Sequence, residues 1–138
     1  MIVALGTDIV DVSRFATMMS RTPGVAERLF TNAERFGLGD NPEAHRLAAR
    51  FAAKEAVVKA LGGADGLSWH HCEVLTASSG QPSLRLTASV EAAAHKQGLH
   101  TWRVSLSHDG GFAMATVIAF GADSPAHLPE AFTPIDQH

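Results

Sequence analysis

One segment restricts the fold more than any other. Glu43 to Leu61 is rich in Ala, Leu, Arg and Lys, is preceded by Asn41-Pro42 and is followed by Gly62. All four residue types are strong helix formers; Asn is a favoured N-cap, Pro fits a first helical turn, and Gly sits just past helix ends. The spacing predicts one long helix capped by Asn41. The rest of the chain is broken into shorter pieces. Residues 2–8 (Ile-Val-Ala-Leu-Gly-Thr-Asp) read as a buried strand that delivers Asp8 at its end. Ser13 is the expected cap of a short helix running to about Ser20 and stopped by Pro23 and Gly24; a second helical stretch covers Val25 to Phe30. Thr31 with Glu34 three residues on forms a capping box. Trp69–Thr76 and Pro82–Leu86 read as strands around the turn Ser78-Ser79-Gly80-Gln81, and Ser89 as the cap of a helix ending at Gly98. Thr101–Ser107 and Phe112–Phe120 read as a hairpin around His108-Asp109-Gly110-Gly111. This order predicts an α+β fold: antiparallel sheet, one long helix and several shorter ones. Phe112–Phe120 is apolar on both faces, which suits a strand covered on both sides.

At 138 residues the chain has room for one domain but not two, expected over residues 1–120. After Gly121 three prolines and no periodicity predict a loose C-terminal tail, residues 121–138. With 46% apolar and 18% charged residues the composition is that of a globular protein rather than a disordered one. The single cysteine, Cys72, excludes an intrachain disulfide and fits a reducing compartment; it reads as a buried, inert thiol rather than a nucleophile. No basic stretch precedes the apolar first ten residues, and no apolar run approaches the roughly 20 residues needed to span a bilayer. A soluble cytoplasmic protein is expected. The net charge of -3 hides an asymmetry: Val12 to Ala60 carries eight Arg or Lys against five Asp or Glu, and the remainder three against nine. That pattern argues against bulk nucleic-acid binding and favours a localised acidic partner or a phosphorylated ligand.

No GxxxxGK[ST] loop and no GxGxxG after a strand is present, and the eight histidines include no HExxH pattern. His70 and His71, adjacent in an expected strand, should point to opposite faces, and His127 and His138 lie in the tail. Two carboxylates stand among apolar neighbours: Asp8, beside Leu5, Ile9 and Val10, and Glu55, among Phe51, Ala52, Ala56 and Val57. Isolated buried carboxylates are unfavourable unless paired or metal-bound, and magnesium is commonly held by one or two carboxylates with phosphates and water. The alternative is that Glu55 pairs with Lys59 at i, i+4 and Asp8 caps a turn. Arg46, Arg50 and Lys54 recur at i, i+4 as one basic stripe, either a solvated face or a grip on phosphate. Ser105-Leu106-Ser107-His108-Asp109 ends a strand, with the serines on one face and His108 at the turn; no nucleophile elbow accompanies them.

Three segments together resemble the holo-acyl-carrier-protein synthase family, the small trimeric phosphopantetheinyl transferases. Gly6-Thr7-Asp8-Ile9-Val10 with Arg14 is similar to its N-terminal G-x-D motif. Arg50-Phe51-Ala52-Ala53-Lys54-Glu55-Ala56-Val57-Val58-Lys59-Ala60-Leu61 is similar to its central RFAAKEAxxKA motif, and Ser105-Leu106-Ser107-His108 to its third. The chain departs from the family at Gly62-Gly63-Ala64-Asp65-Gly66, where a glycine–threonine–glycine loop is usual, and at Asp11, where many relatives have glutamate.

The resemblance implies the 4′-phosphopantetheinyl transferase fold and transfer of the 4′-phosphopantetheine arm of coenzyme A to a serine of an acyl carrier protein or carrier domain, in support of fatty acid biosynthesis. It implies Asp8 and Glu55 as Mg2+ ligands, and Lys59 as the cation facing the pyrophosphate or an aid to deprotonating the serine. It implies Arg50, Lys59 and His108 on the phosphates of coenzyme A. Asp109 either orients His108, reaches the metal through water, or serves the turn. Arg14, Met18, Arg21 and Arg28, with Val25 among them, are the expected carrier-protein surface, although Arg28 has Glu27 and Glu34 as nearby alternatives. The resemblance also implies a homotrimer with active sites at subunit boundaries. Two other readings use the same residues: a metal-dependent hydrolase of the coenzyme A pyrophosphate, and a non-catalytic coenzyme A sensor.

Overall fold

The computed structural model describes residues 1–37 and 43–121. Among these the element order is β1 (Ile2–Asp11), α1 (Val12–Arg21), α2 (Val25–Leu29), α3 (Asn32–Phe36), α4 (Ala44–Leu61), a 3₁₀ turn (Trp69–His71), β2 (Cys72–Thr76), β3 (Pro82–Leu86), α5 (Ala88–Lys96), β4 (Leu99–Asp109) and β5 (Phe112–Gly121). The strands form two antiparallel sheets, one ordered β1-β5-β4 and the other the hairpin β2-β3. The expected α+β architecture with one long helix is borne out.

α4 packs across β1 and β5. Small residues permit this: Ala52, Ala53 and Ala56 on the helix and Ala113, Ala115 and Ala119 on β5 are all fully buried. The closest approach is at Gly6, where an added Cβ would stand 1.9 Å from the Ala56 carbonyl oxygen. Around the second half of α4 the main core gathers Val57, Val74, Val90, Leu99 and Val117. Around its first half Phe15, Val25, Leu29 and Phe30 form another, with Phe51 stacked on Phe15.

Several expected boundaries shift. β1 continues past Asp8, because β5 offers it a partner as far as the pair Asp11–Phe112. The cap of α1 is Asp11, whose side chain accepts the Arg14 backbone N–H at 2.9 Å, rather than Ser13. Asn41 and Pro42 lie outside the described residues; Glu43 occupies the cap position of α4, without a side-chain capping bond, and Gly62 ends the helix as expected. Residues 69–71 turn as 3₁₀ instead of extending β2, so His70 and His71 do not alternate across a sheet. Thr87, not Ser89, precedes α5; the Ser89 hydroxyl instead accepts the Ser68 backbone N–H and meets His71 Nδ1 at 2.7 Å. The capping box forms as expected. The β4–β5 loop is only Gly110-Gly111, both at positive φ (57° and 82°), as a two-residue type I′ hairpin demands. His108 and Asp109 therefore belong to β4 and not to the turn. The tail after Gly121, with His127 and His138, lies outside the described residues.

Candidate active site

The antiparallel register places Asp8, Ala115 and Leu106 in one row across the sheet, and Val10, Ala113 and His108 in the next. Both rows belong to the face that α4 covers, since Ala113 and Ala115 are buried on it. Asp8 thus looks up at the helix. Lys59, on the last turn of α4, reaches down: its Nζ lies 2.8 Å from Asp8 Oδ1 and donates to the Thr7 carbonyl at 3.1 Å. Glu55 stands one turn earlier. Partial burial, and then the charge of Asp8, push its carboxyl above the ordinary glutamate value, with Lys59 drawing it back. The hydrogen bond and charge of Asp8 push the Lys59 ammonium upward in turn. The pairing of Lys59 is therefore across elements, with Asp8, and the i, i+4 pair with Glu55 is not what holds it. Ion-pair energetics at such an exposed lysine are modest; what matters is that three functional groups share one corner.

Beside it, a cleft of about 230 Å³ opens between α4, the β2–β3 hairpin and β4, lined by His45, Arg46, Arg50, Thr76, Pro82 and His108 among others. Arg50 is 5% exposed; its guanidinium donates to the Arg46 carbonyl at 3.1 Å and to the Thr76 hydroxyl. Burial first, then Arg46, pull its pKa below the arginine norm. The His108 ring lies 4.8 Å from that of His45, centroid to centroid. Two guanidinium groups and two imidazoles line this open cleft, and guanidinium N–H groups match the geometry of carboxylate and phosphate oxygens.

The expected basic stripe is broken. Lys54 is fully buried, 2.6 Å from Glu34 Oε1 and 2.9 Å from the Trp69 carbonyl, so it faces the core while Arg46 and Arg50 face the cleft. Asp109 alternates to the opposite face of β4 from His108, with Ser105 and Ser107, so it does not orient the imidazole. Arg14, Arg21 and Arg28 are exposed, and among the described residues none has a carboxylate at ion-pair distance: Glu27 lies 3.8 Å from Arg35, and Glu34 is taken by Lys54. Arg14 and Arg21 share α1, whereas Arg28 sits on α2; Met18 is half-buried and Val25 is core, hence unavailable to a partner. Cys72 is buried, and desolvation pushes its thiol up to about 12, which makes it inert. His45 was not among the residues singled out from sequence. Its signal would have been its place next to Arg46 and five residues before Arg50, but only the fold brings it to His108.

The model of the 4′-phosphopantetheinyl transferase superfamily matches residues 4–117. The chain belongs to this superfamily. Transferase-family relatives align over nearly their whole length. The chain is 58% identical over 118 residues to a holo-[acyl-carrier-protein] synthase of Frankia alni, covering 86% of this chain and 97% of that one. Among solved structures, the Mycobacterium tuberculosis acyl carrier protein synthase is 34% identical with a TM-score of 0.67, over 88% of this chain and 99% of that one. The Chronobacterium ammoniagenes ACPS–CoA complex is 28% identical with a TM-score of 0.75, over 86% and 96%. The resemblance drawn from the three motifs is borne out, and Gly6, Asp8, Arg50, Glu55, Lys59 and Ser105 to His108 all fall inside the matched transferase region.

As a test of a magnesium site, the donor set is the relevant observation. Among the described residues no three His, Cys, Asp or Glu side chains gather tightly enough to enclose a metal by themselves. Asp8 and Glu55 provide two carboxylates close enough to repel each other, with oxygen donors only. That is the habit of magnesium, which takes one or two carboxylates and completes its octahedron with water and substrate phosphates. The residues fit.

Proposed function

We propose that this protein transfers the 4′-phosphopantetheine arm of coenzyme A to a serine of an apo acyl carrier protein, in support of fatty acid biosynthesis. The observation that carries the reading is the β1–α4 contact at Gly6, which sets Asp8 against Lys59 and Glu55 beside a cationic cleft. In the reaction the serine oxygen forms a bond to the β-phosphorus of coenzyme A. The bond from that phosphorus to the bridging oxygen breaks, adenosine 3′,5′-bisphosphate leaves, and the serine proton passes to water. Asp8 and Glu55 would hold magnesium. When bound, magnesium supplies charge stabilisation to the pyrophosphate oxygens.

The residues of the chain divide the remaining work. Arg50 and His108, joined by Arg46 and His45, grip phosphate in the cleft. Lys59 reaches the same corner, its Nζ 2.8 Å from Asp8, and its part is to neutralise charge developing on the pyrophosphate. Arg14, Met18, Arg21 and, more weakly, Arg28 form the docking surface for the acidic carrier.

A homotrimer with sites at subunit boundaries is part of the proposal. It is supported by the sheet face opposite α4, where Leu5 and Ile9 are each 62% exposed and Phe112 and Met114 are 45% and 42% exposed. Exposed apolar side chains on one strand face suit an interface between copies of the chain. The two-sided apolar character of β5 reads the same way: α4 covers one side in the chain itself. Residues 1–120 are taken as the transferase domain, in the cytoplasm; no helix among the described residues is long and apolar enough to cross a membrane.

The test is to incubate the protein with coenzyme A, magnesium and an apo carrier protein. Intact-mass analysis should show the carrier heavier by one phosphopantetheine arm, with adenosine 3′,5′-bisphosphate released in equal amount. Release of that nucleotide without a heavier carrier would mean a hydrolase, and neither product would mean a binding protein.

A further inference from the structure

The hairpin β2-β3 forms no backbone ladder with the main sheet, which ends at β4. Yet it supplies the far wall of the cleft, through Thr76 and Pro82. Apolar packing of Val74, Leu84 and Leu86 holds the hairpin close, but such contacts are non-directional and leave its position along α4 loosely fixed. Directional bonds do that: the Thr31 hydroxyl donates to Glu73 of β2 at 2.7 Å, and the others centre on Glu34. Glu34 Oε2 accepts the Val74 backbone N–H at 3.0 Å, and its Oε1 accepts Lys54 Nζ at 2.6 Å and the Thr31 backbone N–H at 3.0 Å. Both charged side chains are completely shielded from solvent. Lys54 also donates to the Trp69 carbonyl, just ahead of β2. At the other end of β2, Arg50 donates to the Thr76 hydroxyl. Lys54 and Arg50 are one turn apart on α4, so β2 is pinned to that helix at two points.

We infer that Glu34 and Lys54 are positioning residues for coenzyme A: the buried pair fixes the β2-β3 hairpin on α4 and so sets the width of the cleft at Arg50. Neither side chain touches the cleft itself. The capping box is thus only half of what Glu34 does, and its second carboxylate oxygen is the half that reaches the hairpin. This inference rests on the proposed transferase reading for its substrate, but the geometry it concerns is independent of the reaction.

The experiment compares Glu34→Gln, Lys54→Met, the double variant and Thr76→Val with the unaltered protein. A glutamine has one acceptor oxygen where three N–H donors now converge, so Glu34→Gln must release at least one of them. The expected result is a KM for coenzyme A raised about tenfold or more in each variant, with KM for the carrier within about twofold, as small misplacements of binding groups have large kinetic effects. The double variant removes both buried charges and should regain much of the thermal stability lost by either single change. If stability alone mattered, its KM for coenzyme A would return with its melting temperature; a positioning role keeps it raised. Calorimetric titration with adenosine 3′,5′-bisphosphate should show the same loss of affinity without any turnover. Should the single variants fail to fold, the double variant carries the test, since it leaves neither buried charge unpaired. Folded variants with unchanged KM for coenzyme A and unchanged nucleotide affinity would overturn the inference. An unaltered protein that transfers no arm would instead overturn the transferase reading, leaving the nucleotide titration to decide this one.

Discussion

Replacing Gly6 by alanine tests the link between fold and site most directly. The new Cβ would lie 1.9 Å from the Ala56 carbonyl oxygen, whereas ordinary contact begins at 3.4 Å, so β1 and α4 must part by about 1.5 Å or distort locally. The oxygen is main chain in the middle of a helix, and no rotamer change relieves the clash. Overpacking of a tight core typically costs about 1–3 kcal/mol and occasionally more. At this site, with backbone on the other side, the upper end is expected, roughly 10 °C in melting temperature by the usual scaling for a domain of this size. The catalytic effect should be larger than the thermal one. A parting of that size exceeds the slack in the 2.8 Å contact between Asp8 and Lys59, and a misplacement of about 1 Å can lower turnover on the order of 100-fold. Scanning calorimetry and the carrier mass assay, run on the same preparation, measure both. Ala56→Gly should not rescue Gly6→Ala, because it leaves the carbonyl oxygen where it was. Turnover within about threefold of the unaltered enzyme, or rescue by Ala56→Gly, would refute the claim that backbone proximity at Gly6 builds the site.

The other expectations are simpler. Asp8→Asn and Glu55→Gln should each abolish most turnover at limiting magnesium while leaving the fold intact, as judged by circular dichroism. Because the Glu55 carboxyl is raised in the folded state, its ionised form disfavours folding above that raised value and the effect is absent below the ordinary value of 4.5. In metal-free protein Glu55→Gln should therefore be the more stable variant at neutral pH, with the advantage vanishing as pH falls through the raised value; a pH series of chemical denaturations checks the sign. Reversing the charge at Arg14 or Arg21 should raise KM for the carrier and flatten its dependence on salt, with little change for coenzyme A. Cys72, whose thiol is pushed up to about 12 and which is buried, should resist alkylation by iodoacetamide at pH 8 until the protein is denatured. Sedimentation equilibrium should give a trimer, and a fully active monomer would sink the shared-site proposal.

Much of this was legible because it is local chemistry. Helix formers, Gly62 and the Thr31–Glu34 box mark helices by bonds made within a few residues, and they formed as expected. Asp8 and Glu55 stood out because a carboxylate in an apolar setting needs a reason. What could not be read is decided by tertiary partners. Lys54 looks like the third member of an exposed stripe, and only the arrival of Glu34 from another helix makes its burial tolerable. The end of β1 at Asp11 depends on the partner that β5 offers it, and the 3₁₀ turn begins at Trp69, whose carbonyl accepts Lys54 and whose ring meets Phe51. His45 meets His108 only because β4 stays extended to Asp109, which follows from a loop of two glycines rather than four residues.

The same geometry gives a physical reason for the spacing of the motifs. Residues two apart on a strand share a face, so a glycine at 6 and an aspartate at 8 lie under the same helix. The glycine lets the helix backbone come down, at Ala56, and the aspartate then meets whatever the helix presents next to that point. Glu55 immediately precedes Ala56, and Lys59 follows it by three residues, on the turn that overlooks Asp8. A side chain at position 6 would lift the helix, and an aspartate at 7 or 9 would point to the other face of the sheet, where Leu5 and Ile9 stand exposed. The G-x-D and KEAxxK patterns are therefore two halves of one strand–helix contact. The departures at Asp11 and in residues 62–66 both fall outside that contact.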